Sequence, residues 1–200
     1  CHFIQKLEDE PRIEFDNLHP ALDGLRESDF NETFFAAWKT GNTGFPFIDA
    51  CMRALISTGW INFRMRAMLV SFASNHLWLH WRKPALHLAK LFTDYEPGIH
   101  YSQIQMQSGT TGINAIRIYN PIKQGMDQDP DGEFTRRWVP ELKDVDPKLI
   151  HTPWLLAEPP SNYPAPIVDE VSARKAASQK LYALRGSSEF KQKSESIVQK

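Results

Sequence analysis

The stretch Thr58 to Arg82, TGWINFRMRAMLVSFASNHLWLHWR, carries apolar residues on more than one side of a helical wheel and so predicts a long, central helix. Met65, Met68, Phe72 and Leu79 form one stripe, and Ala67, Val70, Leu77, Trp78 and Trp81 cover much of the remainder. Two arginines interrupt this rod. At about 100° per residue Arg64 and Arg66 point roughly 200° apart, so one that faces inward sends the other outward. An inward guanidinium needs an acid or an anionic ligand, because an unpaired buried charge is costly.

Upstream, residues 1 to 9 read as a helix stopped by Pro11, and Phe34, Phe35 and Trp38 restart a short helix that ends at Gly41. In TGNTGFPFIDACMRALISTG, Ile48, Met52, Leu55 and Ile56 recur at helical spacing. Thr43 or Gly44 is the expected cap, Pro46 suits a first turn, and Gly59 is the stop. Downstream, Pro84 opens a helix that ends near Thr93. The pattern then vanishes from Asp94 to Pro121, which reads as a long polar loop, and such loops are usually functional. A short helix follows from about Gly132 to Trp138, then a proline-rich stretch from His151 to Pro166 laid extended over the surface, then a helix from Ile167 to Leu184. With neither repeats nor a strand pattern, the fold class predicted is all-α.

Composition narrows this picture. Two hundred residues, 42% of them hydrophobic, suffice for one core, and 23 basic against 24 acidic residues exclude wholesale attraction to nucleic acid, though not a basic patch. Cys1 and Cys51 make no disulfide framework, and with seven scattered histidines they show no metal-ligand spacing. A reducing, cytoplasmic setting and a monomer are expected. The apolar run after Arg66 is broken by Asn75, His76 and His80, so it fails as a membrane span. The chain opens without methionine, as though cut from inside a helix, and is expected to be a fragment: residues 1–185 the helical domain, 186–200 a polar, fraying tail.

Asp94 and Glu96, directly after a helix, are the leading partners for Arg66. On composition alone they read more readily as solvated loop acids, His100 as a surface or hydrogen-bonded histidine, and Trp78 and Trp81 as core. No nucleophile with a base, P-loop or dinucleotide fingerprint is present.

Longer segments say more. In order, WKTGNTGFPFIDACMRALISTGWINFRMRAMLVSF, HWR, RIYNPIKQGMDQDPDGEFTRRWVPEL, IHTPW and YPAPIVD closely resemble the C-terminal flavin domain of the DNA photolyase and cryptochrome family, nearly collinearly from His19 to about Arg185. The resemblance implies an all-α domain holding FAD, U-shaped, in a cavity that opens toward DNA. In repair members the excited, reduced flavin passes an electron to a pyrimidine dimer, which splits and returns it; the photochemistry is the cofactor's and the protein supplies position and electrostatics.

By the same resemblance Arg66 and Asp94 form the charged pair beside the isoalloxazine, with Tyr95 adjacent, Glu96 placed to accept from a ring N–H, and His100 facing flavin N5. Phe63 and Arg64 fall at the cavity mouth, where lesion and phosphate backbone are met, and Gln124 falls in a loop that touches DNA. The lesion is expected to be flipped out to reach the flavin. Trp81 keeps the middle step of the family's electron relay. Three departures stand out: Phe63 where photolyases usually carry asparagine, and Ile104 and Met106 where they carry tryptophans. Ile104 removes the flavin-proximal relay step, and Met106 replaces an aromatic that would stack on the lesion. The expectation is therefore FAD-dependent, light-driven repair of pyrimidine dimers, with a cryptochrome-like photoreceptor as the alternative and a helical interaction module without flavin as a third. The fragment alone is expected to be inactive and to hold FAD weakly or not at all.

Overall fold

A computed structural model describes residues 8–28, 30–112, 114–188, 190, 192 and 193. Residues 1–7 of the first expected helix and 194–200 of the expected fraying tail lie outside them. Among the described residues the regular structure is all helical and no strand occurs, in agreement with the predicted class. Eight α-helices are described: α1 Glu32–Thr40, α2 Pro46–Thr58, α3 Phe63–Ser71, α4 Arg82–Leu91, α5 Pro97–Ser108, α6 Pro121–Gln128, α7 Glu133–Trp138 and α8 Glu170–Arg185.

Helix α2 is the buried axis. Ile48, Cys51, Met52 and Leu55 face the main core, while Ala50 turns toward a smaller one built on Val139, Leu142, Ile150 and Tyr163. Pro46 fills the first turn, where a missing N–H costs nothing, and Gly59 ends the helix at φ 72°, both as the sequence predicts. The expected cap is corrected. Neither Thr43 nor Gly44 caps α2; the N-cap is Phe45, which has no side-chain cap bond. Instead Asp49, inside the first turn, accepts from the Thr43 N–H at 2.8 Å, the Thr43 hydroxyl at 2.7 Å, the Gly44 N–H at 3.0 Å and the Tyr163 phenol at 2.5 Å.

The long central helix is also corrected. Helix α3 begins where Asn62 Oδ1 accepts from the Met65 N–H, and ends at Ser71. Phe72–His76 then form one π-helical turn, and Trp78 follows at φ 54° before α4 starts at Arg82, two residues ahead of the predicted Pro84. Such turns mark helices under constraint. Here Asn75 Oδ1 accepts from the fully buried Arg26, whose guanidinium lies 4.5 Å from the Trp78 ring, and that side-chain demand competes with a straight helix. Burial lowers the Arg26 pKa to about 9.

The segment from Asp94 to Pro121 is not one long loop either. Its first half is α5, capped by Glu96 and closed by Gly109 at φ 76°. In the second half, residues 110–112 and 114–120 are irregular. Gln124 lies in α6, not in a loop. The stretch from His151 to Pro166 contains one 3₁₀ turn, Pro153–Leu155, and buries His151 and Tyr163, so it is a strap anchored into the core and not a surface ribbon.

Candidate functional site

Helices α3, α4 and α5 line a cavity of about 150 Å³, with residues 94–96 at its rim. Its wall is mainly apolar: Ala67 and Val70 from α3, Leu88 from α4, Phe92, and Ile99 and Ile104 from α5. Against this background the polar groups are few and fixed.

Arg66 is three-quarters buried and held on three sides. Its Nε donates to the Ile61 carbonyl at 2.8 Å, its Nη2 to Asp94 Oδ2 at 2.9 Å, and its guanidinium stacks 4.2 Å from the centre of the Phe92 ring. Arg66 in turn holds the Asp94 carboxyl below its ordinary value. Glu96 caps α5, with Oε1 accepting from Gly98 N–H at 3.2 Å and Oε2 from Ile99 N–H at 2.7 Å. Both oxygens thus already serve the helix, and the Glu-Pro-Gly order puts a proline at the first helical position beside this cap.

His100 is buried, and burial lowers its pKa, with Arg66 nearby pushing the same way. Its Nε2 lies 2.9 Å from the Ala85 carbonyl. A carbonyl only accepts, so the neutral ring carries its proton on Nε2 and keeps Nδ1 as an acceptor. Tyr95 packs edge-on against His100 at 5.2 Å, and burial raises its phenol pKa.

Phe63 is 59% exposed and borders the cavity on one side and an open groove on the other. Arg64 turns away from Arg66 into that groove, which it shares with Arg117 and Tyr119. Met106 is half-buried on α5 and does not line the cavity, and neither does Gln124. Trp81 is fully buried outside the cavity, its indole N–H bonded to Asn17 at 2.8 Å. Of the residues singled out in sequence, the cavity thus gathers Phe63, Arg66, Asp94, Tyr95, Glu96 and His100. Sequence reasoning missed Gln103 and Gln107, which follow His100 at i+3 and i+7 on the same wall. That spacing was legible only once 97–108 was known to be helical.

Among the described residues no group of His, Cys, Asp and Glu gathers as a metal site, and no helix is long and apolar enough to cross a membrane. A largely apolar cleft with a few fixed polar groups and an ion pair on its rim has the make-up of a small-molecule binding site. The chain belongs to the family described as the FAD binding domain of DNA photolyase, whose model matches residues 1–183. FAD is the cofactor of that family.

Relatives agree. The chain is 37% identical over 174 residues to a deoxyribodipyrimidine photo-lyase of Streptomyces griseus, covering 85% of this chain and 38% of the relative. It is 33% identical over 158 residues to a cryptochrome DASH of Gloeobacter violaceus, covering 74% of this chain and 31% of the relative. An archaeal photolyase from Sulfolobus tokodaii, whose crystal structure holds two FAD molecules, superposes with a TM-score of 0.84 at 34% identity, over 91% of this chain and 42% of that one. The chain therefore spans less than half the length of these relatives.

Proposed function

We propose that this domain forms the catalytic flavin and DNA face of a light-driven photolyase that repairs pyrimidine dimers. The observation that carries the reading is the Arg66–Asp94 pair, 2.9 Å apart at the edge of an apolar cavity. The residues fit a flavin ring: the walls are apolar, a fixed cation stands at one end, and neutral acceptors stand on α5. At about 150 Å³ the hollow is below the roughly 300–1,000 Å³ of a whole small-molecule site, so it suits a ring and not an entire dinucleotide.

When bound and excited, FAD supplies the electron transfer that opens the dimer. The side chains have separate parts. Arg66 offers positive charge to a ring that carries negative charge, and Asp94 keeps that guanidinium oriented. His100 presents Nδ1 as an acceptor for a ring N–H. Glu96 sets the N-terminus of α5 and so the position of His100, in place of the direct ring contact that the resemblance suggests. Arg64 and Arg117 offer phosphate contacts that position DNA without reading its sequence, with Phe63 between them and the cavity.

The test is repair by the full-length protein of an oligonucleotide carrying a cyclobutane dimer or a 6-4 product, under blue light and in darkness. Light-dependent restoration of either lesion is expected. A second reading, a cryptochrome-like photoreceptor, is favoured by Ile104 where the family's relay tryptophan stands and by the cryptochrome DASH relative. A flavin-loaded protein that bleaches under light yet repairs neither lesion would establish that reading instead.

A further inference from the structure

Two glutamines lie two residues apart on α5 and meet opposite fates. Gln105 is fully buried, and both ends of its amide are engaged. Oε1 accepts from the Leu18 N–H at 2.8 Å and the Thr110 hydroxyl at 3.0 Å, and Nε2 donates to the carbonyls of Ile13 and Asp16, both at 2.9 Å. Gln103 lines the cavity, and its Oε1 is shut off from solvent with no hydrogen-bond partner. An enclosed acceptor without a donor is rare in native proteins and asks for an explanation.

The neighbours narrow what is missing. Arg66 is already committed to Ile61 and Asp94, and His100 presents an acceptor, not a donor. Neither of the two polar groups fixed beside the cavity supplies the donor, and a ligand that fills the cavity would bring one. A carboxamide carries an acceptor and a donor side by side, and its complement is a ring edge that carries an N–H beside a carbonyl. A neutral amide also meets such an edge without disturbing the charge balance of the Arg66–Asp94 pair.

We infer that Gln103 is a binding residue that recognises the imide edge of a pyrimidine-type ring in this cavity. The inference rests on the function proposed above, and it deepens that reading by assigning a recognition contact to a residue outside the charged pair. Two molecules present this chemistry: the isoalloxazine of FAD and the thymines of a dimer flipped into the cavity.

The experiment uses full-length protein and Gln103→Met, which nearly preserves size and removes both hydrogen-bonding atoms. Gln103→Asn keeps the amide but draws it back by one methylene; it gives a smaller loss of the same sign and serves where the Met variant does not fold. One arm measures the FAD dissociation constant and the vibronic structure of the bound flavin spectrum. The other measures, in darkness, binding of an oligonucleotide with one thymine cyclobutane dimer against the same oligonucleotide without it. A loss of about ten-fold in FAD affinity with a shifted spectrum assigns the edge to the cofactor. An unchanged flavin with about ten-fold poorer discrimination for the dimer assigns it to the lesion. If neither quantity moves, Gln103 is satisfied by water and the inference is overturned. If the unaltered full-length protein takes up no FAD, the proposed function falls, while the DNA arm still decides Gln103.

Discussion

The two aspartates that organise this chain, Asp49 and Asp94, meet opposite surroundings. Asp49 is wholly buried and accepts four hydrogen bonds at 2.5–3.0 Å, one of them from Tyr163 on the strap. Its neighbour Gly44, at φ 78°, passes so close to the strap that an added Cβ would sit 2.3 Å from the Ala165 carbonyl oxygen. Asp94 is half-exposed at the rim of a cavity, and its described side-chain partner is Arg66. A carboxylate whose donors all come from the fold ties elements together. One placed beside a hollow, with a single cation, contributes little to stability and keeps its field available for something else.

Breaking the first site tests this most severely. Asp49→Ala leaves two backbone N–H groups, a hydroxyl and a phenol without their acceptor, and it should cost about 3 kcal/mol or more in urea unfolding. A loss under about 1 kcal/mol would mean that water replaces the carboxylate and that the strap is not tied through it. Asp94→Asn should change unfolding by less than about 1 kcal/mol, because the pair is half-exposed. It should nonetheless weaken FAD retention, or the anionic reduced form, by about ten-fold in full-length protein. Unchanged flavin spectra and photoreduction would remove the pair from the proposed site.

A third test is a pair of opposite pH dependences. Burial pushes the Asp49 carboxyl up from 3.8 to about 6, so its contribution is fully present below pH 3.8 and lost as pH rises through about 6. Arg66 holds Asp94 low, so the contribution of Asp94 is present above pH 3.8 and lost as pH falls through its folded value, and exposure keeps it small. Urea midpoints between pH 4 and 7 should therefore fall with pH more steeply in the unaltered chain than in Asp49→Asn. Parallel profiles would show that Asp49 titrates as an ordinary carboxyl.

How much of this was legible depended on how the buried groups are met. Helix α2 could be read directly because its inward face is apolar at helical spacing and Pro46 and Gly59 punctuate it. Helix α5 could not, because its buried residues include His100, Gln105, Gln107 and Ser108. A helix with polar groups bonded inward or facing a cavity shows no amphipathic period. The break after α3 was hidden for a related reason: the residues that pair at it, Arg26 and Asn75, are far apart in sequence and meet only in the fold. The partnership of Arg66 with Asp94 was anticipated from charge and resemblance, and geometry bears it out. Gln103 gave no such signal, since an unmet acceptor becomes visible only when its surroundings are known.

The grip on Arg66 has one more consequence. A backbone carbonyl from the turn before α3, and a carboxylate and an aromatic face from the segment after α4, fix the guanidinium at folding. Most of its rotamer freedom is gone before any guest arrives, so a guest surrenders little entropy there on docking. Under the function proposed above, a charge that cannot swing also responds little when the guest gains or sheds an electron, and so keeps the reorganisation energy of that step low.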